Sequence, residues 1–111
     1  MASVEDVRKI ALSLSQANEH VHFDAVSFQV GSKIFCTLNT ADLRLTLKLD
    51  REDQHNLVAV HPKIVAAVEG YWGRKGWTQI RFSDLSPTKL EQYVRMAWMR
   101  VAPKRLTRPG P

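Results

Sequence analysis

The sequence predicts one α+β domain, a two-layer sandwich in which an N-terminal and a C-terminal helix pack on one face of an antiparallel sheet. Three observations predict it. Two β-rich runs flank a Gly31-Ser32 turn, a third run alternates leucine with polar residues, and amphipathic helical patterns stand near both ends. The 111 residues are 44% hydrophobic, which suffices for a buried core. We expect a domain over residues 1–106 and a flexible tail over residues 107–111.

The first helix is predicted over residues 4–14. Ser3 and Asp6 resemble a capping box, with Asp where Glu or Gln is usual. The apolar residues that follow recur at helical spacing: Val4, Val7, Ala11 and Leu14. Residues 15–24 have no sustained period, so they predict a loop that leads into the first strand.

The runs VSFQV and KIFCTL predict a hairpin, because Gly at the first central position of a two-residue turn favours type II′ geometry. That turn sets three residue pairs: Val30 with Lys33, Phe28 with Phe35, and Ser27 with Cys36. We therefore expect the two phenylalanines side by side on one face of the sheet.

The run LRLTLKL has the clearest alternation in the chain. Its leucines lie on one face of the predicted strand, and Arg44, Thr46 and Lys48 lie on the other. This pattern is typical of a strand with one buried and one hydrated face.

The second half of the chain predicts two short helices, a strand and a long helix. Asp50 caps a helix through about Ala59, and Pro62 begins a second one, PKIVAAV. The turn-rich segment GYWGRKG then precedes the strand WTQIRF. Ser86 caps the last helix, and Pro103 ends it.

The net charge of +5 is concentrated at the C-terminal end. Residues 1–94 hold eleven basic and eleven acidic residues, whereas residues 95–111 hold five basic residues and no acid. Two interpretations remain open: a solubilising end, or a phosphate-contacting arm that includes Lys104 and Arg105.

Several segments together resemble the MmcQ/YjbR family: VRKIALSL, EHVHF, VSFQVGSKIFCTL, LRLTLKL, GYWGRKGWTQIRF and WMRVAPKRL. The resemblance runs from about Val7 to Leu106, and it implies a CyaY-like (frataxin-like) α+β fold and DNA binding. Frataxins carry an acidic, iron-binding ridge on the first helix. Here that helix holds only Glu5 and Asp6 as acids, so we do not expect the iron binding of frataxins to carry over, and no metal ligands are assigned.

The segment GYWGRKGWT is the leading candidate for nucleic-acid contact, because a ring can stack on a base while Arg74 and Lys75 contact phosphate. Arg44 and Lys48 would add a basic sheet face, extended by Arg81 if the strands pair suitably. The alternative interpretation is that the tryptophans close the core and that the strand cations are simply hydrated.

A pocket is the second hypothesis, with five candidate lining residues: His20, His22, Tyr71, Trp72 and Trp77. It would bind a small ligand or a protein partner. His20 and His22 share a face if their segment is extended, and a tetrahedral metal site would need a third protein ligand, for which His55, His61 and Asp24 are candidates. Structural hydrogen bonding by these histidines, or general-base chemistry by one of them, are the remaining alternatives.

The predicted function is that of a low-specificity DNA-binding module, monomeric and without a cofactor. The sequence contains no GxSxG, P-loop, GxGxxG or HExxH motif, which lowers the expectation of an enzyme. The single cysteine, Cys36, fits a buried thiol in a reducing cytoplasm. No apolar run reaches the length of a membrane span.

Overall fold

Six antiparallel strands form one sheet in the order β1-β2-β3-β4-β6-β5. The computed structural model describes residues 2–107. Its strands are β1 (Ala17–His22), β2 (Ala25–Val30), β3 (Lys33–Asn39), β4 (Arg44–Lys48), β5 (Val65–Ala67) and β6 (Trp77–Arg81). Its helices are α1 (Val4–Ser13), α2 (Arg51–Val60), α3 (Tyr71–Arg74), α4 (Pro87–Val101) and α5 (Lys104–Thr107).

The two terminal helices cover one face of the sheet, as the sequence predicts. The Asp6 amide donates to the Ser3 hydroxyl at 3.2 Å and the Ser3 amide donates to the Asp6 carboxylate at 2.8 Å, which completes the capping box of α1. Helix α4 begins after the Ser86 cap and contacts α1 and strands β2, β3 and β4. The result is a two-layer α+β sandwich.

The core lies between the helices and the sheet. One row of register partners crosses five strands and is buried in each: Val26, Leu38, Leu45, Ile80 and Val65. The indole of Trp98 reaches across the same layer and donates to the Ser15 carbonyl at 3.0 Å. The leucine face of β4 is therefore the face that the helices cover.

Two segments differ from the prediction in their secondary structure. Residues 15–24 contain the edge strand β1, in which no residue is fully buried, so its sequence shows no sustained apolar alternation. The segment PKIVAAV contains strand β5, not a helix. Three of its residues pair with β6, and this tertiary pairing outweighs a local pattern that also suits a helix.

The hairpin register also differs from the prediction. Val30 pairs with Lys33 as expected, but a bulge follows, so that Phe28 pairs with Cys36 rather than with Phe35, and Ser27 pairs with Thr37 rather than with Cys36. The bulge inserts one extra residue into β3. It lets both Phe35 and Cys36 be fully buried, which strict alternation would forbid.

The predicted tail falls mostly outside the described residues. Thr107 is the last residue of α5, and residues 108–111 lie beyond the part of the chain that the structure describes. Between residues 2 and 107, no helix has the length and apolar character needed to cross a membrane.

Candidate functional site

The face of the sheet opposite α1 and α4, here called the open face, carries the side chains that alternate with the core residues. One row of register partners crosses it from β1 to β5: His20, Ser27, Thr37, Thr46, Gln79 and Ala66. These residues are half-buried or exposed, in contrast to the core row. The open face is therefore a broad, polar and hydrated surface.

Positive charge is unbalanced on the open face. Its strand positions carry Arg44, Lys48 and Arg81, and none of the described strand residues on this face is acidic. The one acid within the strands, Glu19, is the register partner of buried Phe28 and points toward the helices, where it binds Arg8. The neutral sum over residues 1–94 thus conceals an excess of positive charge on the strands of this face, beside which the loop residue Asp42 lies.

Three cations line a groove at one end of the open face, which we call the cationic groove. Its volume is about 210 Å³, and its charged lining residues are Arg44, Lys63 and Arg81. The Arg81 amide donates to the Ile64 carbonyl at 2.9 Å, which holds the Lys63 loop beside β6. Asp42 lies 3.8 Å from the Arg44 guanidinium, but both side chains are about half exposed, so this pair neutralises little of the charge.

Exposed aromatic rings stand at the other end of the open face. Trp72 is 60% exposed and Tyr71 is 55% exposed, with ring centres 5.2 Å apart in an edge-to-face arrangement. The Lys75 ammonium lies 5.4 Å from the centre of the Tyr71 ring. Trp72 therefore does not close the core, and Trp77 is half-buried.

Trp72 and Trp77 border a second groove, here called the aromatic groove, with a volume of about 350 Å³. Its apolar lining is Ile34, Val68, Trp72 and Trp77, and its polar lining is Thr37, Thr46 and Gln79. Both threonines and Gln79 also line a shallow groove that includes Arg44. The aromatic and cationic grooves are thus joined across the middle of the open face.

Two glycines allow the aromatic segment to pack against the domain. A Cβ at Gly73 would lie 1.7 Å from the Val68 carbonyl oxygen, and one at Gly76 would lie 1.8 Å from the Leu49 carbonyl oxygen. Gly76 also has a φ of +103°, a backbone conformation that residues other than glycine rarely adopt. The glycine spacing of the segment is therefore dictated by close backbone approach.

A buried glutamine of α2 holds the same segment in place. The Gln54 amide nitrogen lies 3.0 Å from the Gly73 carbonyl oxygen, 3.1 Å from the Trp77 carbonyl oxygen and 3.2 Å from the Thr78 hydroxyl. Thr78 in turn donates to the Gly76 carbonyl at 3.0 Å. Sequence reasoning missed Gln54, because nothing in the polar run REDQHN distinguishes a buried glutamine from a hydrated one.

The predicted nucleic-acid contacts occupy two regions. Arg44 and Lys48 lie on the open face, and Arg74 and Lys75 lie at its aromatic end, where Lys48 is the register partner of Trp77. Lys104 instead lines a groove of about 580 Å³ between the Gly31 turn and the end of α4. Arg105 is exposed on α5, outside the grooves of the open face.

The two halves of the predicted pocket lie far apart on the sheet. His20 and His22 are exposed on β1, whereas Trp77 lies on β6, with β2, β3 and β4 between these strands. The histidines and the aromatic residues Tyr71, Trp72 and Trp77 therefore do not line one pocket. Among residues 2–107, no group of three or more metal-ligating side chains is suitably placed to hold an ion.

Cys36 is fully buried in β3, and burial raises the pKa of its thiol. A buried thiol with a raised pKa holds little thiolate, which is the reactive form. Cys36 is consequently a packing residue of the core, as the sequence predicts.

Lys63 is a further site residue that the sequence analysis missed. It follows Pro62 in a segment interpreted as a helix, so its approach to Arg44 and Arg81 depends on the β5–β6 pairing. The role of Arg81 was conditional on that same unknown strand order. Only the register places both residues at one groove.

Comparisons with known proteins agree on the fold. The family model described as YjbR matches residues 12–100. The crystal structure of Deinococcus radiodurans protein DR2400, family-model domain DUF419, superposes with a TM-score of 0.80 at 23% sequence identity, over 98% of this chain and 91% of that chain. A search of curated proteins finds no match.

Proposed function

The chain belongs to the YjbR family, and we propose that it binds DNA with low sequence specificity through its open face. One observation carries the proposal: the cationic groove brings Arg44, Lys63 and Arg81 together on a face whose strands present no acid. Such a surface attracts a polyanion, and the attraction depends on salt because binding releases counterions.

The residues of the open face suit contacts to phosphate and sugar. Guanidinium groups bind phosphate oxygens in a bidentate manner, and hydroxyl and amide side chains such as Thr37, Thr46 and Gln79 hydrogen-bond to the backbone of a nucleic acid. Contacts of this kind orient a nucleic acid without reading its sequence. Low specificity follows from this chemistry.

The remaining basic residues extend the proposed surface. Lys48, Arg74 and Lys75 would contact phosphates at the aromatic end of the open face. Lys104 and Arg105 stand away from it, so we propose that they add long-range attraction rather than direct contacts. We further propose that the protein acts as a monomer in the cytoplasm.

A titration at two salt concentrations tests the proposal. Binding of a labelled duplex of about 20 base pairs is measured by fluorescence anisotropy at roughly 50 and 200 mM salt. A non-specific binder is expected to have a dissociation constant of about 10⁻⁴ to 10⁻⁶ M near physiological salt. The double variant Arg44→Ala/Arg81→Ala should lower the salt slope by about two.

The matched control is Lys9→Ala/Lys89→Ala, which removes two exposed cations from the helix layer. The control should bind like the unmodified protein, apart from a small long-range effect. The proposal fails if neither the duplex nor its separated strands bind detectably at millimolar protein and low salt, or if both double variants lose affinity equally.

A further inference from the structure

We infer that the open face takes single-stranded nucleic acid, with an unpaired base stacked on Trp72 in the aromatic groove and neighbouring phosphates on the surrounding cations. The inference rests on the proposed function and names its substrate class. Four features of the structure support it: ring exposure, the width of the sheet, the shape of the aromatic groove and the spacing of the charges.

Ring exposure favours unpaired bases. Trp72 and Tyr71 leave more than half of their surface to solvent, although large aromatic side chains normally bury most of theirs. In a duplex, each base face is covered by its stacked neighbours, so an exposed ring at the protein surface has nothing to stack on. A single strand offers free base faces, and every base has one, which makes stacking tolerant of sequence.

The width of the sheet disfavours insertion into a duplex. Six strands have five spacings of about 4.8 Å, so the open face is about 24 Å wide. The major groove of B-DNA is about 12 Å wide and admits one helix or a two-stranded ribbon. Helices α1 and α4 lie on the opposite face, so they cannot enter a groove while the open face makes the contact.

The shape of the aromatic groove suits one nucleoside. Its volume of about 350 Å³ is near the lower limit for small-ligand sites, and its apolar walls include Trp72 and Trp77. Thr37, Thr46 and Gln79 offer both donors and acceptors at its side. Such groups can pair with the edge of any base, in keeping with low specificity.

The charges are spaced for a short strand laid along β6. From Trp77 to Arg81 the strand rises about 13 Å, which equals about four nucleotides at the 3.4 Å spacing of stacked bases. Lys48 and Lys75 stand near the rings at one end, and Arg44 and Arg81 stand at the other. A strand of about this length can therefore be contacted at both ends while one of its bases enters the aromatic groove.

Three labelled probes of equal length test the inference: the single strand dT12, a 12-base-pair duplex, and an abasic 12-mer that keeps the phosphates. We expect dT12 to bind at least tenfold more tightly than the abasic strand at equal salt. Trp72→Ala should weaken dT12 binding about fivefold to 150-fold. Its affinity for the abasic strand should change less than twofold.

The controls separate stacking from folding. Met99 is an exposed apolar residue of α4, so Met99→Ala should leave all three affinities unchanged. Trp72→Phe, which keeps a ring, should retain most of the dT12 affinity. Circular dichroism and thermal denaturation verify that each variant is folded, and Tyr71→Ala provides a second ring deletion.

The outcomes distinguish the inference from the proposed function. Equal affinity for duplex and dT12, or an equal loss on dT12 and the abasic strand in Trp72→Ala, overturns the single-strand inference while duplex binding still supports the proposed function. Absence of binding to every probe at low salt overturns both. Tight dT12 binding that depends on Trp72 supports both.

Discussion

Arg44 of β4 and Arg81 of β6 are register partners on the open face, so two guanidinium side chains leave adjacent strands at the same level. Like charges that stand directly opposite each other in a sheet destabilise it by about 0.2–1 kcal/mol. The nearby Asp42 is half exposed and offsets little of this cost. An anion bound between the two arginines would remove the repulsion, which couples binding to stability.

Arg81→Gln should therefore stabilise the free protein. We expect the free energy of unfolding to rise by about 0.5 kcal/mol at low salt, because a repulsive pair is removed from an exposed position. The gain should shrink at high salt, where exposed charges are screened. Urea denaturation at two ionic strengths measures it. Lys89→Gln is the control, and a destabilised Arg81→Gln protein would show that the arginine stem packs against the sheet.

Gln54→Ala should destabilise the domain and loosen the aromatic segment. The substitution removes one hydrogen-bond donor from the carbonyls of Gly73 and Trp77, each of which keeps a backbone donor, and it removes side-chain volume from a buried site. We expect a loss of about 1–3 kcal/mol, since each lost hydrogen bond contributes about 0.5–1.5 kcal/mol and the vacated volume adds to the cost. Urea denaturation measures the loss. Gln92→Ala, on the exposed side of α4, should change stability by less than about 0.5 kcal/mol.

Gly76→Ala and Gly31→Ala should differ sharply, although both glycines have positive φ. At Gly31 a Cβ meets no atom within 4 Å, so the cost is the left-handed conformation alone, about 1–2 kcal/mol. At Gly76 the Cβ would also lie 1.8 Å from the Leu49 carbonyl oxygen, so we expect a loss of about 4 kcal/mol or more. Thermal denaturation of both variants measures the difference; similar midpoints would contradict the close approach.

Elements with a strong local signal were predictable. The capping box of α1, the alternation of β4 and the Ser86 cap of α4 are confirmed, because each depends on interactions within a few residues. The bulge in β3 was not predictable in the same way. It depends on packing both Phe35 and Cys36 into the core, which is a property of the assembled sheet.

The candidate site was only partly predictable for a related reason. Arg44 and Lys48 could be assigned to one face from alternation within their own strand. Lys63 and Arg81 lie beside Arg44 only because β4 pairs with β6 and β6 pairs with β5. The local alternation of a sequence does not determine which strands are neighbours. Residues 1–94 are neutral when charge is counted along the chain, whereas the strands place Glu19 toward the helices and put Arg44, Lys48 and Arg81 on the open face.

The bond between Arg8 and Glu19 predicts a loss of stability in acid. The Arg8 guanidinium donates to both oxygens of the Glu19 carboxylate, at 2.6 and 3.2 Å, and so links α1 to the edge strand β1. This hydrogen bonding lowers the pKa of Glu19 below its ordinary 4.5, against the opposing effect of burial. The unfolded chain therefore binds a proton at a higher pH than the folded chain does.

The sign of the pH dependence follows from that difference. The stabilisation is fully present above pH 4.5 and is lost as the pH falls through the lowered pKa of the folded state. We expect Glu19→Gln to cost about 1 kcal/mol at pH 7, since bidentate charged bonds are stronger than ordinary surface pairs. The difference in the free energy of unfolding between the unmodified protein and Glu19→Gln should approach zero toward pH 3.

Urea denaturation between pH 7 and pH 3 measures this gap, and Glu5→Gln is the matched control. Glu5 also faces Arg8, but at 3.8 Å and with a mostly exposed side chain, so its removal should change stability by a few tenths of a kcal/mol at most. A gap that stays constant with pH would mean that Glu19 stabilises β1 through packing rather than through its charge. A gap that closes only for Glu19→Gln assigns the acid sensitivity to the link between α1 and the edge of the sheet.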